Sequence, residues 1–175
     1  MELQLDLPMT LRQPAIFLDR DGVINHDPGD YTKSVDEFTL LPTVLSTLKT
    51  WHKRGYALVL ITNQGGLAKG LYTHEAVAEI HAQLAANCEK AGAPLTAIYY
   101  SPHHPDFGAS LSRKPGSLMI ERACAQFHLA PERSWMFGDK ARDILCAVGA
   151  GVRKGVLIPV NADLEHWADL PAPLE

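Results

Sequence analysis

The chain has 175 residues, 46% of them hydrophobic and 21% charged, a balance that suits one soluble domain with a well-buried core. Its formal net charge of −4, with no run of Lys or Arg, argues against a nucleic-acid partner. No apolar run is long enough to span a bilayer, residues 1–14 lack the basic-then-apolar pattern of a signal peptide, and Cys88, Cys124 and Cys146 form no CxxC pair. The expectation is a cytoplasmic protein, monomeric and away from membranes, with three reduced thiols used as small buried hydrophobes.

In chain order, the first apolar run covers residues 15–18 and ends on Asp19 and Asp21 of "IFLDRDGVIN". Leu41, Val44, Leu45, Leu48 and Trp51 then recur at helical spacing, with Gly55 as the stop. A second run, residues 57–61, leads into Thr62 and Asn63. Thr73 is an N-cap for a helix marked by Val77, Ile80, Leu84 and Cys88. A third run, residues 97–100, precedes Ser101 to His104. Lys114, in "SRKPGS", opens a helix marked by Ile120, Ala123, Cys124 and Phe127. A fourth run, residues 134–137, precedes Asp139 and Lys140, then a helix over 141–150 stopped by Gly151. Residues 156–159 form a fifth run, and residues 160–175, with little periodicity, read as a surface tail.

The runs are continuous rather than alternating, the pattern of parallel strands covered on both faces. Strand alternating with helix predicts a three-layer, doubly wound α/β fold with right-handed crossovers over residues 1–175. In such a fold ligands bind beyond the carboxyl ends of the strands, where these polar residues fall. One acid there is readily a turn residue or a helix cap. Several acids, a Lys and a Thr on separate strand ends are not explained that way.

The chemistry they suit is phosphoryl transfer. A hard cation such as Mg²⁺ takes carboxylate, water and phosphate oxygens, which Asp19, Asp139 and the backbone carbonyl of Asp21 would supply. Asp19 would attack phosphorus, and Asp21 would protonate the leaving alcohol and later activate water. The Thr62 hydroxyl and the Asn63 amide would hold the transferring oxygens, and Lys114 would offset their charge.

"FLDRDGVIN", "ITNQGG", "RKPG" and "GDKARD" resemble the four motifs of the haloacid dehalogenase superfamily of aspartate-nucleophile phosphatases. DxDG after an apolar strand is moderately specific alone; the four in order are highly specific. "DYTKSVDEF", "LAKGLYT", "AIYYSPHHP" and "RSWMFGDK" extend the similarity over most of residues 14–160, to the histidinol-phosphatase-like branch. Within that branch they resemble the D-glycero-D-manno-heptose 1,7-bisphosphate phosphatases. The resemblance implies a Rossmann-like core, a small phosphorylated sugar as substrate, Asp19 as nucleophile and Asp21 as acid/base. It implies Thr62 and Lys114 as phosphoryl stabilisers, and Asp19, Asp21 and Asp139 as the Mg²⁺ site. Asp27, Asn63, Gln64, Gly65 and Arg113 match positions that contact substrate. Asp143 is left between orienting Lys140 or the metal shell and pairing on the helix surface.

The sequence departs from that branch in two places. Members often carry a zinc loop with a Cys-x-His pair and two more Cys before RKP. Here Ser101 stands for the first Cys, His103 alone remains of the pair, and "PDFGASLSRKPG" holds no Cys, so no zinc is expected. His103 and His104, between Pro102 and Pro105, read as loop-rigidifying residues. Gly65-Gly66 stands where relatives usually have Ser-Gly. The stretches after Asn25 and after Tyr100 are too short for a separate cap domain, since domains need at least ~50 residues. An open mouth follows, with Arg113 as a bidentate partner for a second phosphate.

Two other enzymatic readings stay open: a histidinol-phosphate phosphatase with the same machinery, and a phosphotransferase to another alcohol. A receiver-like signalling module would also phosphorylate an Asp in a doubly wound sheet, but Asp21 would speed hydrolysis of that intermediate.

Overall fold

The computed structural model describes residues 12–171; the reading of the N-terminus falls largely on residues 1–11, and that of the tail partly on 172–175, outside the described residues. Strands β1 (Ala15–Leu18), β2 (Ala57–Asn63), β3 (Ala97–Ser101), β4 (Trp135–Gly138) and β5 (Lys154–Leu157) form one sheet in the order β3-β2-β1-β4-β5. Every pairing is parallel. Phe17 of the central strand sits opposite Val59 on one side and Met136 on the other.

The pleat divides the core in two. Ile16, Leu18, Leu58, Leu60 and Phe137 face helices α1 (Val44–Lys53) and α2 (His74–Ala91), meeting Leu48, Trp51, Ile80 and Leu84. Ala15, Phe17, Val59, Ile61 and Met136 face α3 (Leu118–Phe127) and α4 (Ala141–Gly149), meeting Ile120, Ala123, Cys146 and Ala147. Trp51 is fully buried and stacks on Phe137 with ring centroids 4.9 Å apart. Truncating it to Ala would cost about 3–5 kcal/mol.

The Thr73 cap and the glycine stops hold, but Lys114 lies in the turn ahead of α3 rather than opening that helix. Thr73 accepts a hydrogen bond from the Ala76 amide at 3.2 Å, and Gly55 and Gly151 close their helices with φ of 92° and 71°. Cys88 and Cys146 are buried and Cys124 partly so; burial lifts their thiols to about 11, 12 and 11 respectively, which keeps them protonated. The stretch between β1 and α1 and that between β3 and α3 carry only short 3-10 turns, at Val35–Glu37 and Pro105–Phe107. No helix among the described residues is long and apolar enough to cross a membrane.

Two further expectations need correction. The fifth strand begins two residues earlier than its apolar run, because Lys154 and Gly155 pair with Trp135 and Met136. Residues 160–171 are not a surface tail. Leu164 and Leu170 are buried, the Trp51 indole donates to the Trp167 carbonyl, the Tyr56 hydroxyl donates to that of Pro171, and Arg54 pairs with Asp169. A 3-10 turn (Leu164–Trp167) and Pro171 produce these contacts without the periodicity that would announce them.

Candidate active site

β2 and β3 lie on one side of β1 and β4 and β5 on the other, so the chain's crossovers diverge at the end of β1. A crevice opens at such a switch point. Asp19 stands there, its amide bonded to the Phe137 carbonyl and its Oδ1 accepting from the Arg20 amide at 2.7 Å.

Lys114 enters from the loop before α3 and is 1% exposed. Its Nζ lies 2.8 Å from Asp19 Oδ1 and 2.7 Å from Asp143 Oδ1, and donates to the Ile61 carbonyl at 2.7 Å. Burial alone would discharge this ammonium, but the two carboxylates outweigh it and the Lys114 pKa is raised. Burial also dominates at Asp19, lifting it to about 6 although Lys114 opposes the rise. Asp143 is thus settled: it is fully buried on α4, holding Lys114 with one oxygen and accepting from the Lys140 amide with the other at 2.9 Å. It is not on the helix surface.

Asp21 points to a different set of partners. Arg20, itself fully buried, reaches both oxygens with Nη2 at 3.0 Å; Asn25, Thr32 and Gln64 donate at 3.0, 3.2 and 3.1 Å. Burial pushes the Asp21 carboxyl up, but the Arg20 charge and these donors prevail and hold it below the usual carboxylate range. Behind Arg20, His81 lies 3.4 Å from Nη1. An Arg only donates, so that His nitrogen accepts and the ring is neutral; burial, then the Arg20 charge, lowers its pKa to about 4.

Asp19, Asp139 and Asp143 each present a carboxylate oxygen within 4.8 Å of the others. Asp139 Oδ2 is buried, with the Lys140 ammonium against it at 2.6 Å. A Cβ at Gly22 would come within 2.9 Å of that oxygen, so the glycine (φ 81°) lets the carboxylate approach the DxDG turn. Three carboxylate oxygens gathered this closely are hard donors that fit a divalent cation such as Mg²⁺. With its carboxylate engaged by Arg20, Asp21 has its backbone carbonyl left for that role.

Of the other expected residues, Thr62 is buried and receives the Gln64 amide at 2.9 Å. Asn63 spends its side chain on the backbone of Lys114, donating at 3.1 Å and accepting at 3.0 Å. Asp27 caps its own turn through the Gly29 amide, and Asn161 grips its backbone at both N and O. Arg113 donates to the His103 carbonyl at 2.7 Å. Gly65 leaves space beside it: a Cβ there would meet His104 Cδ2 at 3.0 Å and Arg113 Nη1 at 3.1 Å. Ser101 Oγ lies 3.2 Å from Ser112 Oγ, which in turn lies 3.0 Å from Ser110 Oγ. Arg20, His81, Thr32, Tyr72 and Asn161 escaped the sequence reading.

A family model described as HAD-hydrolase-like matches residues 111–170. A D-glycero-beta-D-manno-heptose-1,7-bisphosphate 7-phosphatase from Photorhabdus laumondii is 37% identical over 93% of this chain and 91% of its own. The Escherichia coli protein of that name is 36% identical over 89% of this chain and 86% of its own. Among solved structures, a D,D-heptose 1,7-bisphosphate phosphatase from B. bronchiseptica complexed with magnesium and phosphate matches with a TM-score of 0.75 and 33% identity, over 81% of this chain and 78% of that one. The five-stranded parallel sheet, the four motifs in order and these relatives together show that the chain belongs to the haloacid dehalogenase-like phosphatases, in the branch that holds the heptose-bisphosphate phosphatases.

Proposed function

We propose that the protein hydrolyses the 7-phosphate of D-glycero-β-D-manno-heptose 1,7-bisphosphate through an aspartyl-phosphate on Asp19, as a cytoplasmic monomer. The observation that carries this reading is the convergence of Asp19, Asp21, Thr62, Lys114 and Asp139 where β1, β2 and β4 end, in a chain similar throughout to phosphatases of that name.

A carboxylate oxygen of Asp19 forms the new bond to phosphorus as the ester oxygen leaves. Lys114, held charged by Asp19 and Asp143, offsets the charge on the phosphoryl oxygens, and the Thr62 hydroxyl donates to one of them. Asp21 supplies the proton to the leaving alcohol. Its cage favours the ionised form, and the charge of an arriving phosphate raises its proton affinity in time for that step. Ionised again, Asp21 takes a proton from water, whose oxygen attacks phosphorus and frees Asp19 and inorganic phosphate. Asp19, Asp139 and the Asp21 carbonyl would hold Mg²⁺, which when bound screens the phosphate against Asp19 and aligns it for attack.

Arg113 gives the second phosphate a bidentate partner at the mouth. The loop before it is tied by the Ser101, Ser112 and Ser110 hydroxyls and by the Arg113 bond to His103, which supports a loop that needs no zinc.

Phosphate release with Mg²⁺, measured on the heptose bisphosphate, its monophosphate and histidinol phosphate, tests the reading. A kcat/KM at least ~10-fold higher for the bisphosphate is expected. Turnover of histidinol phosphate as fast as the bisphosphate would refute the substrate assignment. EDTA is expected to abolish turnover and added Mg²⁺ to restore it; activity untouched by EDTA would refute the metal site.

A further inference from the structure

We infer that Tyr72, acting through Gln64, is a positioning residue for this reaction: a one-directional hydrogen-bond relay that aims both the Asp21 carboxylate and the Thr62 hydroxyl. The inference rests on the phosphatase reading above.

Gln64 was expected to touch substrate, yet it is 2% exposed and both ends of its side chain are committed within the protein. Its Oε1 accepts from the Tyr72 hydroxyl at 2.8 Å. Its Nε2 donates to Asp21 Oδ2 at 3.1 Å and to Thr62 Oγ1 at 2.9 Å. The opposite amide orientation would set a carbonyl oxygen against a carboxylate oxygen, two acceptors with no proton between them. The Asp21 carboxylate therefore fixes the orientation, and the Tyr72 hydroxyl donates to the amide oxygen left on the far side. It stays a donor, since burial lifts its pKa to about 12.

The direction matters because of Thr62. A threonine hydroxyl has one proton. Since Thr62 Oγ1 receives the Gln64 amide, that proton is left to donate to a phosphoryl oxygen. Asp21, by the same amide, is held at a fixed distance from Thr62. One side chain thus couples the group that handles the leaving-group proton to a group that holds the phosphate.

The surrounding chain is built to keep the relay in place. The Gln64 backbone N–H donates to the Ser101 carbonyl at 2.7 Å, and the Gln64 backbone carbonyl accepts from the Leu67 N–H at 3.2 Å. A Cβ at Gly66 would lie 2.2 Å from Tyr72 Cε1, so the second glycine of "NQGG" is what admits the Tyr72 ring. Tyr31 packs on the outer side of that ring, centroids 5.9 Å apart.

The test is a double-mutant cycle of Tyr72→Phe and Gln64→Leu, with kcat and KM measured on the heptose bisphosphate and on p-nitrophenyl phosphate. Tyr72→Phe is expected to lower kcat about 10-fold, Gln64→Leu about 10²-fold, each with KM within about 2-fold of wild type. The double variant is expected to be no worse than Gln64→Leu, because a relay broken at its middle gains nothing from its far end. Gln64→Leu should also depress kcat/KM less on the aryl phosphate, whose leaving group needs no proton from Asp21. Losses that multiply in the double variant, or a Tyr72→Phe protein with unchanged kcat, overturn the relay. Should Gln64→Leu fail to fold, Gln64→Met, of similar length and without a hydrogen-bonding amide, takes its place with the same expectations. Activity on the aryl phosphate alone sinks the heptose assignment and leaves the cycle readable on that substrate, whereas a wild-type protein inert to both overturns the phosphatase reading and the relay together.

Discussion

At the floor of the crevice Lys114 is 1% exposed and its ammonium touches Asp19, Asp143 and the Ile61 carbonyl, whereas in the stretch between β3 and α3 Phe107 and Leu111 stand 68% and 79% exposed. Asp19 and Thr62 come from strand ends locked by the sheet, Asp143 from α4 and Lys114 from the loop before α3, where three buried partners hold its ammonium. The mouth residues come from loops with only short 3-10 turns, held by single ties such as Arg113 to His103. The contrast divides the labour: a buried floor with interlocked charges suits chemistry, in which donors and charges must be placed before the reaction. Exposed loops suit choice of substrate, where contacts vary without disturbing that floor.

Three substitutions probe this division, in falling order of effect. Lys114→Met removes the charge shared by Asp19 and Asp143; kcat is expected to fall by about 10³-fold, and stability by about 3–5 kcal/mol because two buried carboxylates lose their partner. Phosphate release and denaturant melts check both, and a variant near wild-type activity would show the floor to be less interdependent than described. Arg113→Ala, at the mouth, should weaken the bisphosphate about 10–100-fold with little effect on a monophosphate or on melting. Equal losses on both substrates would move Arg113 from choosing the substrate to the chemistry.

His81→Gln is expected to have the smallest effect, and it reads out in pH. The folded His81 pKa, about 4, lies below the 6.5 of a free histidine. Its neutral form is therefore favoured by folding, so its contribution is fully present above pH 6.5 and is lost as pH falls through 4. Removing the imidazole should flatten the loss of stability across that window by on the order of 2 kcal/mol. Melts at pH 7 and pH 4.5 measure it, and identical slopes in wild type and variant would show that His81 is not the group that titrates.

How far the sequence carries follows the same division. The strands and the acids beyond them were legible because a parallel sheet needs continuous apolar runs and its ligands gather where those runs end. Asp19, Asp139 and Lys114 are brought together as their motifs implied. Asp143 was ambiguous because helical spacing alone does not say which face meets a buried lysine. Gln64 and Asn63 looked like substrate contacts, yet both amides turn into the protein, to Asp21, Thr62 and Lys114. The grip of Asn161 on Asp27 spans 134 positions and rests on a left-handed residue (φ 61°), for which local pattern offers no sign.

The covalent step is tested most directly by acid-quenching the protein milliseconds after mixing with 7-³²P-labelled heptose bisphosphate and Mg²⁺, then mapping the label. Radioactivity in the peptide that carries Asp19, absent from Asp19→Asn and prolonged in Asp21→Asn, is the result this account predicts. Brisk phosphate release with no protein-bound label, or label retained by Asp19→Asn, would contradict it.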